Sequence, residues 1–243
     1  MHEDILARLP LFQNLDEESR AQLEAAMVRV HVQRGHEVFH VGDPAEELYI
    51  LANGKVKLTR PSRQLPAAPT SSTRRLRATV RPTRESLLWI IGPAEMFGEL
   101  SIFDPGTRST SAVAMLDCDL YRISRDDLLR IVNDRHDVAL AMLKQLASRL
   151  RRANDTTSGL VMSDVPGRLA YLLLSLASRF GTETDRGIEV HHDLTQAEIA
   201  QMVGASRETV NKILTDFVAR KWISMQAGST LIKDPARLRA RMD

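Results

Sequence analysis

Cysteine is almost missing from this chain of 243 residues: Cys118 is the only one. A lone thiol excludes an internal disulfide and cannot supply the several thiolates of an iron-sulfur cluster or a structural zinc site. It fits a reducing compartment. Long apolar runs are missing too, since no window approaches the roughly 18 uncharged apolar residues of a membrane span. The N-terminal Met1-His2-Glu3-Asp4-Ile5-Leu6 carries two acids and no apolar stretch, so a soluble, cytoplasmic protein with no membrane partner is expected. A strong net charge is also lacking, at +2. Nor is there a kinase loop or a catalytic constellation. His191, His192 and Asp193 are three polar neighbours in a turn, not a triad, and no enzyme is expected.

Charge is distributed unevenly. Residues 1–58 and 87–160 together hold 15 Lys and Arg against 20 Asp and Glu, residues 59–86 hold seven Arg against one Glu, and residues 161–243 hold 11 against 10. Any contact with nucleic acid must therefore come from a local basic face.

The length and the 43% hydrophobic content suit two domains. Amphipathic runs at Ile5–Leu11 and Glu17–Val28 precede short segments of strand character at 37–40, 47–51, 55–58, 87–91, 111–115 and 119–123. That spacing predicts a small β-barrel or jelly roll. Ala52-Asn53-Gly54-Lys55 reads as a hairpin with a type I′ turn, because Asn-Gly readily takes positive φ. Residues 61–82, rich in Arg, Pro and Ser without apolar period, read as a flexible hairpin-tip insertion, with a basic arm touching phosphates as the alternative. The barrel with this insertion is assigned to 1–125.

From Asp126 the pattern is helical. Ala139, Leu143, Leu146, Leu150, Ala153, Thr157 and Leu160 recur at spacings of four and three, as in a coiled-coil seam, so residues 126–163 are assigned as a helix pairing with a second copy. Ser163-Asp164-Val165-Pro166-Gly167 marks a hinge, and 164–243 form the second domain, opening with a helix from Arg168 to Phe180.

Residues 194–214 have the layout of a helix-turn-helix. Thr195 and Glu198 make a capping box, Ile199, Ala200 and Val203 face inward, Gly204 supplies the tight turn and Ser206 caps the second helix. At about 100° per residue, Val210, Ile213, Leu214 and Phe217 share one side, with Arg207, Glu208, Asn211 and Lys212 on the other. Arg donates twice to guanine and Glu accepts from cytosine, so Arg207 and Glu208 are the expected base readers of double-stranded DNA. Lys212 is placed for a base or a phosphate, and Ser206 and Thr209 for phosphates. The competing reading is a solvated face holding an Arg-Glu pair. Trp222–Met225 and Thr230–Lys233, joined across 226–229, complete a two-stranded wing.

Gly42-Asp43-Pro44, Leu48-Tyr49-Ile50 with Asn53-Gly54-Lys55-Val56, Phe97-Gly98-Glu99-Leu100-Ser101, Asp164-Val165-Pro166-Gly167-Arg168 and the helix-turn-helix together resemble the CRP/FNR family, most nearly its actinobacterial cyclic-AMP receptor members. The resemblance spans nearly the whole chain except the insertion. It implies an α+β fold with a jelly-roll cyclic-nucleotide-binding domain, a long dimer helix and a C-terminal winged helix-turn-helix. It further implies a homodimeric, allosteric transcription regulator on palindromic operators with half-sites like TGTGA, and RNA polymerase as a further partner. Cyclic AMP would sit in a cassette matched by Gly98, Glu99, Leu100 and Ser101 through Arg108 and Ser109, Glu99 accepting from a ribose hydroxyl and Arg108 with Ser109 neutralising the phosphate. Nucleotide-binding relatives present Thr-Asn on the dimer helix where this chain has Ala153 and Asn154. The hydroxyl due to meet the base is missing, a loss of about 5- to 150-fold in affinity. DNA binding largely independent of cyclic AMP, or sensing of another effector such as haem through His31, His36 or His40, is the alternative. A regulatory module of an enzyme or channel is a third reading.

Overall fold

The computed structural model describes residues 15–61, 85–104, 106–162 and 164–242. The opening run Ile5–Leu11 and most of the insertion at 61–82 lie outside these residues, as do the side chains of Ser101, Thr157 and Leu160.

Helix α1 (Glu17–Ala26), capped by the Asp16 carboxylate, leads into β1 (Val28–Val32), β2 (Glu37–Phe39), β3 (Glu47–Asn53) and β4 (Val56–Pro61). Then come β5 (Glu85–Ile91), β6 (Met96–Phe97), the single turn α2 (Leu100–Phe103), β7 (Ser111–Ala114) and β8 (Cys118–Ser124). Two antiparallel four-stranded sheets result, in the orders β1-β8-β3-β6 and β2-β7-β4-β5. Phe39, Tyr49, Leu51, Val56, Ile91, Phe97 and Leu120 fill the space between them. On β3 the alternate residues Leu48 and Ile50 point instead into a second apolar layer, beneath the helices. A strand buried on both faces explains the unbroken apolar run Leu48–Leu51.

The Asn53-Gly54 turn is not the hairpin its sequence suggests. β3 and β4 lie in different sheets and do not pair, so the turn is a corner between the two walls. Of its residues only Gly54 has positive φ, at 98°, whereas a type I′ turn needs two. A Cβ on Gly54 would sit 2.6 Å from the Asp117 carbonyl oxygen and the Cys118 sulfur, so the corner needs glycine for space as well as for conformation.

The helical stretch from 126 is likewise two elements, α3 (Arg125–Asp134) and α4 (His136–Met162). Arg135 between them is extended, at φ −125° and ψ 98°. Neither Pro nor Gly causes the break. The Arg135 guanidinium pairs with Glu18, and Asp137 accepts from the Ser19 hydroxyl, so contacts with α1 fix the corner. Val138 and Met142 of α4 are buried against the barrel, while Leu140, Leu143 and Leu150 are more than half exposed.

Past Asp164, which caps it, α5 (Val165–Phe180) carries the buried stripe Leu169, Leu172, Leu173 and Leu176. It is followed by β9 (Gly181–Thr184), β10 (Gly187–His191), α6 (Gln196–Val203), α7 (Arg207–Ala219), β11 (Ile223–Gln226), β12 (Ser229–Ile232) and α8 (Pro235–Ala240). The wing is more than two strands: β11 and β12 continue through β10 to β9 as one four-stranded sheet. The core of this region takes in Leu87, Ile90 and Met115 of the barrel, so the two regions share one apolar cluster. Among the described residues no helix is long and apolar enough to cross a membrane, and no group of three His, Cys, Asp or Glu side chains stands ready to hold a metal.

Candidate nucleic-acid interface and effector pocket

The reading element is built as its sequence requires. Thr195 accepts from the Glu198 backbone N–H at 3.2 Å while the Glu198 carboxylate accepts from the Thr195 backbone at 2.9 Å, completing the capping box. Gly204 ends α6 in the left-handed region, at φ 64° and ψ 45°. Ser206 then caps α7, accepting from the Thr209 N–H at 3.1 Å. Val210, Leu214 and Phe217 are buried beneath α7, with Phe217 against Trp222. Arg168 braces the turn from α5 by donating from Nε to the Val203 carbonyl at 2.8 Å.

Ser206, Arg207, Glu208, Thr209, Asn211 and Lys212 are all exposed; Arg207, Glu208, Asn211 and Lys212 share one face of α7, with Ser206 as its cap and Thr209 in its first turn. The ion pair on this face is Glu208 with Lys212, 3.3 Å apart and one turn along the helix, rather than Arg207 with Glu208. Both side chains are at least three-quarters exposed, so opening the pair costs little and both remain available to a ligand. Gln196 donates to the Asn211 side-chain oxygen at 3.3 Å, tying the start of α6 to the reading face.

In the barrel, Gly98, Glu99 and Arg108 come together. Gly98 has φ +80°, and the Arg108 guanidinium donates to the Gly98 carbonyl at 3.0 Å and to the Glu47 carbonyl at 2.6 Å. It lies over Phe39, 4.2 Å from the ring centroid, and beside Tyr49, and both Arg108 and Glu99 are buried. Burial pulls the guanidinium below its ordinary range, against the opposing pull of Tyr49, Glu47, Asp43 and Glu99. Burial likewise pushes the Tyr49 phenol up, reinforced by its hydrogen bond to Glu47.

Among the described residues, two buried polar atoms here have no hydrogen-bond partner: Oε2 of Glu99 and Nε of Arg108. One accepts and one donates. A ribose hydroxyl and a phosphate oxygen are the complementary groups, so the residues present fit a cyclic nucleotide. The other Glu99 oxygen meets the Arg149 guanidinium, which also donates to the Met96 carbonyl. Arg149 lies fifty residues from Glu99 in the chain, and nothing in the sequence alone aims it there. Leu100 and Ser109 are exposed at the rim, and Ala153 and Asn154 are exposed on α4 one turn beyond Arg149. His31, His36 and His40 lie on the barrel surface.

A barrel with a buried Glu-Arg pocket, followed by a winged helix-turn-helix, defines an effector-responsive DNA-binding regulator. Residues 70–135 match the cyclic nucleotide-binding domain and residues 167–241 the Crp-like helix-turn-helix domain. The chain is 45% identical over 239 residues, 98% of its length and 99% of the relative's, to the CRP-like cAMP-activated global transcriptional regulator of Mycobacterium tuberculosis strain H37Rv. It is 31% identical over 230 residues, 94% of each chain, to the cyclic AMP receptor protein of Thermus thermophilus. Among solved structures, FixK2 from Bradyrhizobium japonicum shares the fold at a TM-score of 0.74 and 18% identity, covering 89% of this chain and 98% of that one. The chain belongs to the CRP/FNR family of transcription regulators.

Proposed function

We propose that the protein is a cytoplasmic homodimer that binds palindromic operators with TGTGA-type half-sites, and that cyclic AMP held between Glu99 and Arg108 adjusts that binding. Residues 1–125 hold the effector, 126–163 pair the two copies and 164–243 read DNA. The observation that carries the reading is the pair of unpartnered buried atoms, Glu99 Oε2 and Arg108 Nε, in one pocket of a chain whose α7 offers Arg207, Glu208 and Lys212 to solvent. The exposed Leu143 and Leu150 support a partner helix, and the name of the Mycobacterium tuberculosis relative supports cyclic AMP as the effector. RNA polymerase is the further partner on the family's precedent.

In operation, Arg207 and Glu208 pair with guanine and cytosine edges in the major groove, and Ser206 and Thr209 grip phosphates at the helix N-terminus. The nucleotide shifts the balance between two arrangements of α4 and the reading head only if it binds them unequally. Ala153 in place of a hydroxyl residue favours a second reading, in which DNA binding is largely independent of cyclic AMP. Gel-shift titration with a TGTGA palindrome, with and without cyclic AMP, separates the two. Tighter binding with nucleotide supports control, equal binding supports independence, and no preference over random duplex overturns both.

A further inference from the structure

Lys55, just before β4, and Lys57, the second residue of that strand, stand two residues apart and so point the same way, and each holds a different part of the reading head. Lys55 is almost fully buried. Its ammonium contacts the His191 carbonyl and the Asp193 carboxylate and lies 5.1 Å from the centroid of the Phe180 ring. Lys57 meets Oε1 of Glu198 at 2.8 Å, the residue whose other carboxylate oxygen closes the α6 capping box. Burial alone would raise the Glu198 pKa, but the hydrogen bonds from Lys57 and Thr195 outweigh it and hold the carboxyl below its ordinary value.

The gripped points are reference points of the head. Asp193 sits in the left-handed region, at φ 57°, and its N–H and that of His192 both donate to the Gly228 carbonyl in the wing turn. Lys55 therefore holds the wing and Lys57 the start of α6. Around them the contact is continuous: the Leu87 N–H donates to Gln201, Arg179 pairs with Glu95 at 2.6 Å, and Phe180 packs where a Cβ on Gly92 would stand. Meanwhile Arg207, Glu208, Asn211 and Lys212 stay exposed. The contact orients the reading face without hiding it.

We propose that Lys55 and Lys57 are positioning residues for operator recognition, locking the reading head to the effector barrel in the orientation that presents the two α7 helices of a dimer at a fixed spacing. This rests on the dimer and palindrome reading above. Two heads must meet half-sites about one helical turn apart, and a head free to swing between α4 and α5 would have a lower effective concentration at the second half-site. A locked head has met that ordering cost before DNA arrives.

The test uses the full-length protein and a variant carrying Lys55→Met and Lys57→Met, which keeps most of the side-chain bulk and removes both charges. Affinities are measured for the palindrome, for the palindrome with one base pair inserted between half-sites, and for a single half-site. The expected result is a loss of about tenfold on the palindrome, an unchanged half-site affinity, and a smaller penalty for the inserted base pair than in wild type. Lys57→Arg, which keeps the charge, is expected to match wild type. Unchanged palindrome affinity and spacing preference would overturn the proposal, as would equal losses on half-site and palindrome, which mark a folding role. Tighter binding by the variant would make the contact inhibitory and also overturn it. A wild type with no preference for the palindrome removes the dimer reading and the proposal with it.

Discussion

The guanidinium of Arg149, halfway along α4, lies against the buried carboxylate of Glu99 at the start of α2, fifty residues earlier in the chain. The long helix is thereby fastened to the effector pocket by the residue that would also receive a ribose. Replacing Arg149 by Met leaves that carboxylate buried and unpaired. Because Arg149 keeps partial solvent contact, the expected cost is about 2 kcal/mol, below the range for a fully buried pair. Adding Glu99→Gln is expected to recover most of it, as a double-mutant cycle by urea denaturation would measure.

Arg207 and Lys212 are expected to fail differently. Arg207→Ala costs about 1–3 kcal/mol of operator affinity and relaxes the preference at one base pair. Lys212→Ala weakens all sequences more evenly if it serves a phosphate, and lowers the salt slope by about one. Anisotropy titrations against single-base operator variants at several salt concentrations distinguish these outcomes.

The exposed leucines of α4 make the oligomeric state testable. Glu at both Leu143 and Leu150 places charge where a partner helix would pack, and a monomer is expected in sedimentation equilibrium. The variant's thermal unfolding, extrapolated to low protein concentration, should resemble wild type, since neither side chain is buried within its own chain. A persistent dimer would place the interface elsewhere.

Two glycines with positive φ should not be equally replaceable. Gly204→Ala meets open space and bears the left-handed backbone cost alone, about 1 kcal/mol. Gly54→Ala adds contacts at 2.6 Å with Asp117 and Cys118, and its loss of stability is expected to be clearly larger by denaturant titration.

His192 gives the head an acid sensitivity. Its Nδ1 accepts from the Leu194 N–H at 3.0 Å and its Nε2 meets the Thr230 hydroxyl at 3.1 Å, so the neutral ring is fully used. Burial pulls its pKa down to about 4. With an unfolded value near 6.5, the native state binds fewer protons, and the associated stability is complete above about pH 6.5 and is lost as the pH falls through about 4. The amount is roughly 3 kcal/mol. The difference between wild type and His192→Gln, followed by thermal unfolding from pH 7 to 4.5, should shrink by that order.

The reading helix was legible because its signals are local: Thr195 and Glu198 find each other within one turn, and Gly204 and Ser206 act on the backbone beside them. The buried face of α7 followed from spacing alone. What escaped depends on distant partners. Asn53-Gly54 carries hairpin chemistry, yet the two flanking strands are claimed by different neighbours, β8 on one side and β7 with β5 on the other. β9 is polar and mostly exposed, and the alternation of Ile188 and Val190 with Glu189 and His191 in β10 spans only four residues, so the wing looked like two strands. Arg135 meets Glu18 at the break in the helix, and the partners of Lys55 and Lys57 lie more than 130 residues further along the chain, so nothing local points to them.

The corner at Gly54 also decides where this chain can grow. Lys55 follows it directly, so its reach to Asp193 is set by a turn that has no room for a side chain at Gly54. The insertion leaves the same pair of strands at the opposite end, between Pro61 and Glu85. Length gained there leaves the residues that hold the head in register, whereas a single residue gained beside Gly54 would carry Lys55 out of line with Asp193. On the positioning role proposed for Lys55, divergence in the tip of β4–β5 would leave operator preference unchanged, and divergence at its root would not.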